Sequence, residues 1–275
     1  VTGGGRVCLV TGASSGIGRA TALALLRAGH TVYGAARRAE RMEPLVKAGG
    51  HAIGADVTRE EDLQRVVRTV VDAQGRVDVL VNNAGSAVYG SAEEVPIARA
   101  RQVFDVNLFG PARLTQLVLP GMRERGSGTI VNISSIGGEI ALPLGAWYHA
   151  SKHALEGYSD SLRQEVARFG VRVVVVQPGI IRTDFQDGTP RELREISGHG
   201  PYRAVAEPMA RRAEQANGPD FAASDPSVVA ACVVRIVAAP APRPRYAVGR
   251  LAKVMLGVNR LLPDRLYDKM VTRGA

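Results

Sequence analysis

The stretch RVCLVTGASSGIGRATALALLRAG, residues 6–29, decides the fold class. Its first residues, RVCLVTG, form a short apolar run that reads as a buried strand. GIGRATALALLRAG, from Gly16, reads as a helix that Gly29 ends. Between them Gly12, Gly16 and Gly18 are spaced Gly-x3-Gly-x-Gly. Glycines there permit a tight turn and let backbone come close to a pyrophosphate. The helix start adds unpaired N–H groups and partial positive charge.

The same alternation continues outward. TVYGAAR (31–37), HAIGADV (51–57), VDVLVNNAG (77–85), GTIVNISS (128–135) and VRVVVVQPG (171–179) read as strands, and PRYAVG (244–249) as a seventh. Helical stretches fall between them. TREEDLQRVVRTVVDAQG opens with Thr58 as an expected N-cap and Glu61 completing a capping box. A long helical region covers about 98–125, interrupted at Gly110-Pro111, and another helix covers about 148–169. Apolar strands alternating with helices predict an α/β fold: a doubly wound parallel sheet of about seven strands, helices on both faces. Right-handed crossovers then gather Gly12, Asn82, Ser134, Ser135 and Pro178 at one sheet edge, where ligands bind.

Composition sets bounds. The 275 residues, 45% hydrophobic and 22% charged, suit an ordinary globule. No apolar run reaches about 18 residues, so neither a membrane span nor stable membrane insertion is expected, and VTGGGRVCLVTG lacks the regions of a signal peptide. Cys8 and Cys232 fit no metal or redox spacing, which makes a reducing, cytoplasmic location the expectation. The net charge of +9 comes from 31 Arg and 4 Lys scattered through the helices, with aromatics at only 5%. No nucleic-acid partner is expected from that pattern.

Two further features concern chemistry. Tyr148 and Lys152 share a helix face at i,i+4, where an ammonium can lower a phenol's pKa. The second strand ends in Ala36, Arg37 and Arg38, with no carboxylate for a ribose 2′-hydroxyl. A guanidinium suits a 2′-phosphate instead, so the phosphorylated dinucleotide NADP(H) is expected. Asp56, ending the third strand, is placed to meet the adenine; a turn or capping role is its alternative.

Taken together, TGASSGIG, NNAG (82–85), Asn107 in FDVNLFG, VNISS, YHASK (148–152) and PGIIRT (178–183) resemble the short-chain dehydrogenase/reductase family, in order over about residues 6–185. The likeness is to its NADP(H)-preferring members and, through AARR and the long C-terminal region, to its steroid- and retinoid-handling branch. It implies one Rossmann-like domain over 1–275, with a substrate lid at about 184–224 and a C-terminal extension at about 249–275. It also implies hydride transfer between a nicotinamide and a carbonyl or secondary alcohol.

By the resemblance, Tyr148 is the general acid/base and Lys152 its partner, which also binds the nicotinamide ribose. Ser135, thirteen residues before Tyr148, polarises the substrate oxygen, and Asn107 holds a water that links Lys152 to solvent. The cofactor set comprises Gly12, Ser14, Ser15, Gly16, Ile17, Gly18, Arg37, Asp56, Val57, Asn83, Ala84, Gly85, Tyr148, Lys152, Pro178, Gly179, Ile181 and Thr183. Asn82 supports the sheet. Val88, Tyr89, Glu139 and Ile140 are expected at a mostly apolar substrate site, pointing to a lipophilic carbonyl or alcohol of steroid, retinoid or polyketide type. The two long helices resemble those that pair in homodimers and homotetramers. His149 and His153 share the i,i+4 spacing of a zinc pair but lack a third ligand. They read as surface or interface residues, and no metal is expected.

Two other functions compete. A 3-ketoacyl-carrier-protein reductase would suit the basic surface, but the lid and C-terminal extension speak against it. A non-catalytic NADP(H)-binding sensor or scaffold is opposed by the complete Asn107–Ser135–Tyr148–Lys152 set. At the C-terminus, Leu251, Val254, Met255, Val258 and Leu262 are expected on one packed helix face; a pocket wall or membrane contact is the alternative.

Overall fold

A computed structural model of the chain describes residues 5–216 and 223–273. Its strands are β1 (Val7–Thr11), β2 (Thr31–Ala36), β3 (His51–Gly54), β4 (Val79–Asn82), β5 (Gly128–Ile133), β6 (Val171–Pro178) and β7 (Arg245–Val248). They form one parallel sheet in the order β3-β2-β1-β4-β5-β6-β7, as the alternation predicts. The helices are α1 (Gly16–Arg27), α2 (Glu43–Lys47), α3 (Glu60–Gln74), α4 (Ile97–Phe104), α5 (Gly110–Glu124), α6 (Ala146–Val166), α7 (Thr189–Ser197), α8 (Arg203–Ala216), α9 (Ser227–Ala238), α10 (Ala252–Leu261) and α11 (Asp264–Arg273).

Strand periodicity divides the core into two layers. Val7 and Leu9 of β1 face Val66 and Val70 of α3, Leu114 and Val118 of α5, and Leu162 of α6. Cys8 and Val10 point the other way, among Ala22 and Leu25 of α1 and Val233 and Ile236 of α9. Every residue of β1 is buried, which is why the run is continuously apolar. Each such Leu or Val contributes roughly 1.5–3 kcal/mol on burial. Strand order reverses between β1 and β4, and a crevice opens there at the strands' carboxyl ends.

Local details differ from expectation. Thr58 is not an N-cap: Asp56 Oδ1 accepts both its N–H (2.9 Å) and its hydroxyl (2.8 Å), and the cap position of α3 is Arg59. The expected break at Gly110-Pro111 is absent. The chain runs from α4 into α5 through a π-turn, Asp105–Phe109, and Gly110 packs against the Val57 carbonyl oxygen. At the C-terminus the packed face is Ala252, Met255 and Leu256, while Leu251 and Val254 are exposed.

Candidate active site

The glycine turn works through its backbone. Gly12 (φ +66°) and Gly16 (φ +49°) adopt left-handed conformations that favour glycine. A side chain at Gly18 would collide with the Gly12 carbonyl oxygen and Asn83 Nδ2. Gly18 therefore packs the helix onto the turn, behind the cleft wall. Ser15 takes the cap position of α1 without side-chain capping, and no acid lies in the first turn. Those N–H groups present positive potential to the cleft. Thr11 Oγ1 accepts the N–H groups of Asn83 and Ala84, both at 3.0 Å, and Asn83 Nδ2 donates to the Thr11 carbonyl at 2.9 Å. The ends of β1 and β4 are thus clamped together. Asn82 braces the sheet by donating to Asn132 Oδ1 (2.8 Å), whose amide donates to Ser159 of α6.

A cleft of about 1010 Å³ runs from this turn along the sheet edge. Gly12, Ser14, Ser15, Gly16 and Ile17 line one end, with Arg37, Asp56, Val57, Asn83, Ala84 and Gly85. Pro178, Gly179, Ile181 and Thr183 close it from the β6 side. Two buried hydroxyls on its wall, those of Ser86 and Ser134, have no partner among the described residues. Open helix N–H groups, glycines without side chains, exposed guanidiniums at Arg37 and Arg38, and unpaired wall hydroxyls fit an extended dinucleotide.

Tyr148, Lys152 and Ser135 line the same cleft farther along. α6 buries Tyr148, Lys152, Leu155, Glu156, Ser159 and Leu162 on one face, so the tyrosine and lysine are carried inward together. Burial pushes the phenol pKa up, and the neighbouring Ser135 hydroxyl draws it partly back. Ser135 Oγ accepts the Gly137 N–H at 3.0 Å. The expected lowering by Lys152 is not the governing influence: the ammonium donates to the Ile133 carbonyl at 3.0 Å. Burial lowers the Lys152 pKa from 10.5 to about 8, with Glu156 opposing. Ser134 Oγ instead lies close to Gly138.

Asn107 occupies the π-turn. Its Oδ1 accepts Ser86 N (2.8 Å), and its Nδ2 donates to Ser86 O (2.8 Å) and to Ser151 Oγ (2.9 Å) on α6. The amide ties the loop after β4 to α6. Such local widening of a helix is frequent at functional sites.

Of the expected substrate residues, Tyr89 and Ile140 line the cleft, while Val88 and Glu139 do not. Val88 is buried against Val95, Val103 and Trp147. Glu139 is drawn off by Arg260 of α10 (2.8 Å) and Gln177 (2.6 Å). Leu142, just beyond Ile140 in the same stretch, lines the cleft as well, and further apolar walls come from Pro143, Phe185, Met209 and Met255. The Tyr89 and Phe185 rings lie 5.8 and 6.1 Å from that of Tyr148. Phe185, an aromatic in an otherwise polar segment just after Thr183, carried a readable signal; Met209 carried none. The expected lid holds a short 3-10 turn and two helices, α7 and α8, and its residues 217–222 lie outside the described residues. Glu192 of α7 fastens it by accepting Tyr89 N (3.0 Å) and Arg99 Nη2 (2.7 Å). Ser197 Oγ adds a bond from Ser91 N (2.9 Å). His149, expected at the surface, is buried because residues 137–145 fold over it.

The cleft thus joins a glycine turn with bare helix N–H groups to a buried tyrosine, lysine and serine. The sequence signature of the short chain dehydrogenases matches residues 6–193. The chain belongs to this family of oxidoreductases, which use a nicotinamide cofactor. It is 35% identical over 264 residues to a 3-ketodihydrosphingosine reductase of Bacteroides thetaiotaomicron, covering 96% of this chain and 95% of that protein. A short-chain dehydrogenase from Streptomyces avermitilis superposes with a TM-score of 0.82 at 38% identity, covering 98% and 96%. A variant actinorhodin polyketide ketoreductase with NADPH gives 0.75 at 35% identity, covering 88% and 94%. No helix among the described residues is long and apolar enough to cross a membrane.

Proposed function

We propose that the chain is an NADP(H)-dependent carbonyl reductase for lipophilic ketones. The observation that carries this reading is that Ser135 and Tyr148 line together the apolar end of a cleft whose other end fits a dinucleotide. When bound, the dihydronicotinamide supplies a hydride. Ser135 and Tyr148 orient the carbonyl oxygen by hydrogen bonds, and the Tyr148 hydroxyl passes its proton to that oxygen as charge develops there. Lys152, as a buried cation on the same helix face, favours the phenolate left behind. Lys152 and Tyr148 also hold the nicotinamide ribose. Both amide protons of Asn107 are committed, so a relay water for Lys152 would rest on main-chain carbonyls of the π-turn.

Arg37, exposed at the end of β2 where no acid stands, supports selection of a 2′-phosphate. Asp56 and Val57 would meet the adenine, although one Asp56 oxygen is already engaged by Thr58. Leu142, Phe185, Met209 and Met255 support a hydrophobic substrate, as do two relatives that are ketone reductases by name. The preferred substrate is steroid-, retinoid- or polyketide-like, held by one domain that includes the lid and the C-terminal extension. Two unpaired, buried cysteines suit the cytoplasm. Phe109, exposed on the face of α4 and α5, supports a homodimer or homotetramer.

The test is NADPH and NADH consumption by purified protein with a panel of hydrophobic ketones, 3-ketodihydrosphingosine among them, and with an acyl-carrier-bound 3-ketoacyl chain. NADPH-linked reduction of free lipophilic ketones is expected. Tight NADPH binding without turnover would mean a sensor, and exclusive use of the carrier-bound substrate would mean the acyl-carrier reductase.

A further inference from the structure

The imidazole next to the acid/base tyrosine is built into the wall of the substrate site. His149 is buried on α6, with both ring nitrogens engaged. Nδ1 lies 3.0 Å from the Gly137 carbonyl oxygen, and Nε2 accepts the Leu142 N–H at 3.2 Å. The acceptor role of Nε2 requires the neutral ring with its proton on Nδ1. Burial favours that form by holding the pKa below the ordinary 6.5. Two glycines make room for the ring. A Cβ on Gly137 would stand 2.9 Å from Nδ1, and one on Gly145 would stand 2.8 Å from Nε2 and Cδ2. Gly145 has φ −117° and ψ 18°, a backbone that other residues adopt, so its lack of a side chain answers to the imidazole. The segment between these glycines carries Ile140, Leu142 and Pro143 into the cleft.

We infer that His149 is a positioning residue that staples the 137–145 wall to the catalytic helix and thereby sets the fit of bulky substrates. It touches no reacting atom in this role; it acts through Leu142 and its neighbours. The inference rests on the reading of this end of the cleft as the ketone site.

The test compares His149→Phe, His149→Gln and Gly145→Ala with the wild type. In His149→Phe, KM for a bulky hydrophobic ketone should rise about five- to thirtyfold, the fold-change carried by about two ordinary hydrogen bonds. The loss should fall on KM rather than kcat, and it should shrink for a small ketone. His149→Gln, which keeps an acceptor within reach of Leu142 N–H, should recover part of it. Gly145→Ala should reproduce the defect by displacing the ring, and combining it with His149→Phe should add little, because both remove one arrangement. Hydrogen exchange over 137–145 should quicken in His149→Phe and Gly145→Ala, with other segments unchanged. Unchanged exchange overturns the staple, and so does a defect confined to kcat. If the wild type reduces no ketone, the functional reading fails, while the exchange result still decides the staple. If His149→Phe does not fold, the other two variants decide it.

Discussion

Around Gly12 the cleft is walled by main chain, whereas around Tyr89 it is walled by side chains that distant segments hold in place. At the first end, Thr11 and Asn83 join two neighbouring strand ends, and glycines leave N–H groups bare. At the second end, Glu192 reaches 103 residues along the chain to Tyr89 N, and Arg260 reaches 121 to Glu139. On the proposed reading the first is the nucleotide end, closed by bonds between neighbouring strand ends, and the second is the carbonyl end, assembled from long-range clasps.

The hardest blow falls at the seam. Tyr148→Phe should lower turnover by about 10²- to 10⁴-fold and leave NADPH affinity nearly unchanged, as followed by fluorescence titration. Near-normal turnover would remove Tyr148 as proton donor. Arg37→Asp should strike the nucleotide end alone. It should weaken NADPH about ten- to hundredfold, in keeping with one charge-assisted contact, and weaken NADH far less. Equal weakening would end the 2′-phosphate assignment.

Lys152 offers a pH-resolved test. Because burial holds its pKa near 8 rather than 10.5, the unfolded chain binds a proton that the folded chain lacks between those values. Stability contributed at this position therefore rises with pH across that window, and below it the buried ammonium costs the fold. Lys152→Met should be more stable than the wild type at pH 7 by about 1–3 kcal/mol, with the gap closing between pH 8 and 10.5 in urea denaturation, although activity is lost. A gap that does not vary with pH would refute the buried charge. The mildest effect belongs to the carbonyl end: Glu192→Gln should raise KM about two- to fivefold, the range of a partly exposed ion pair, and added salt should produce a similar change in the wild type.

The same contrast explains what could be read in advance. Gly12 and Gly16 were legible because positive φ at a strand–helix turn calls for glycine. Tyr148 and Lys152 were legible because α6 keeps i,i+4 residues on one face. The inner strands β1, β4 and β5 were legible because a sheet covered on both sides buries whole strands. Glu139 and Val88 were misplaced because their positions depend on Arg260 and Trp147, whose proximity no local spacing announces. His149 was misplaced for the same reason: helix geometry alone does not show that the preceding segment, 137–145, covers it. At Thr58 two local signals competed, and the Asp56 carboxylate outdid the expected cap.

Glu192 grips the amide of Tyr89, and Ser197 grips that of Ser91, without touching either side chain's identity. An attachment of that kind is indifferent to mutation at the positions it holds. On the proposed reading of this end as the ketone site, the aromatic at 89 can be exchanged while α7 stays tied to the same two main-chain N–H groups. A search for altered selectivity then begins at that residue.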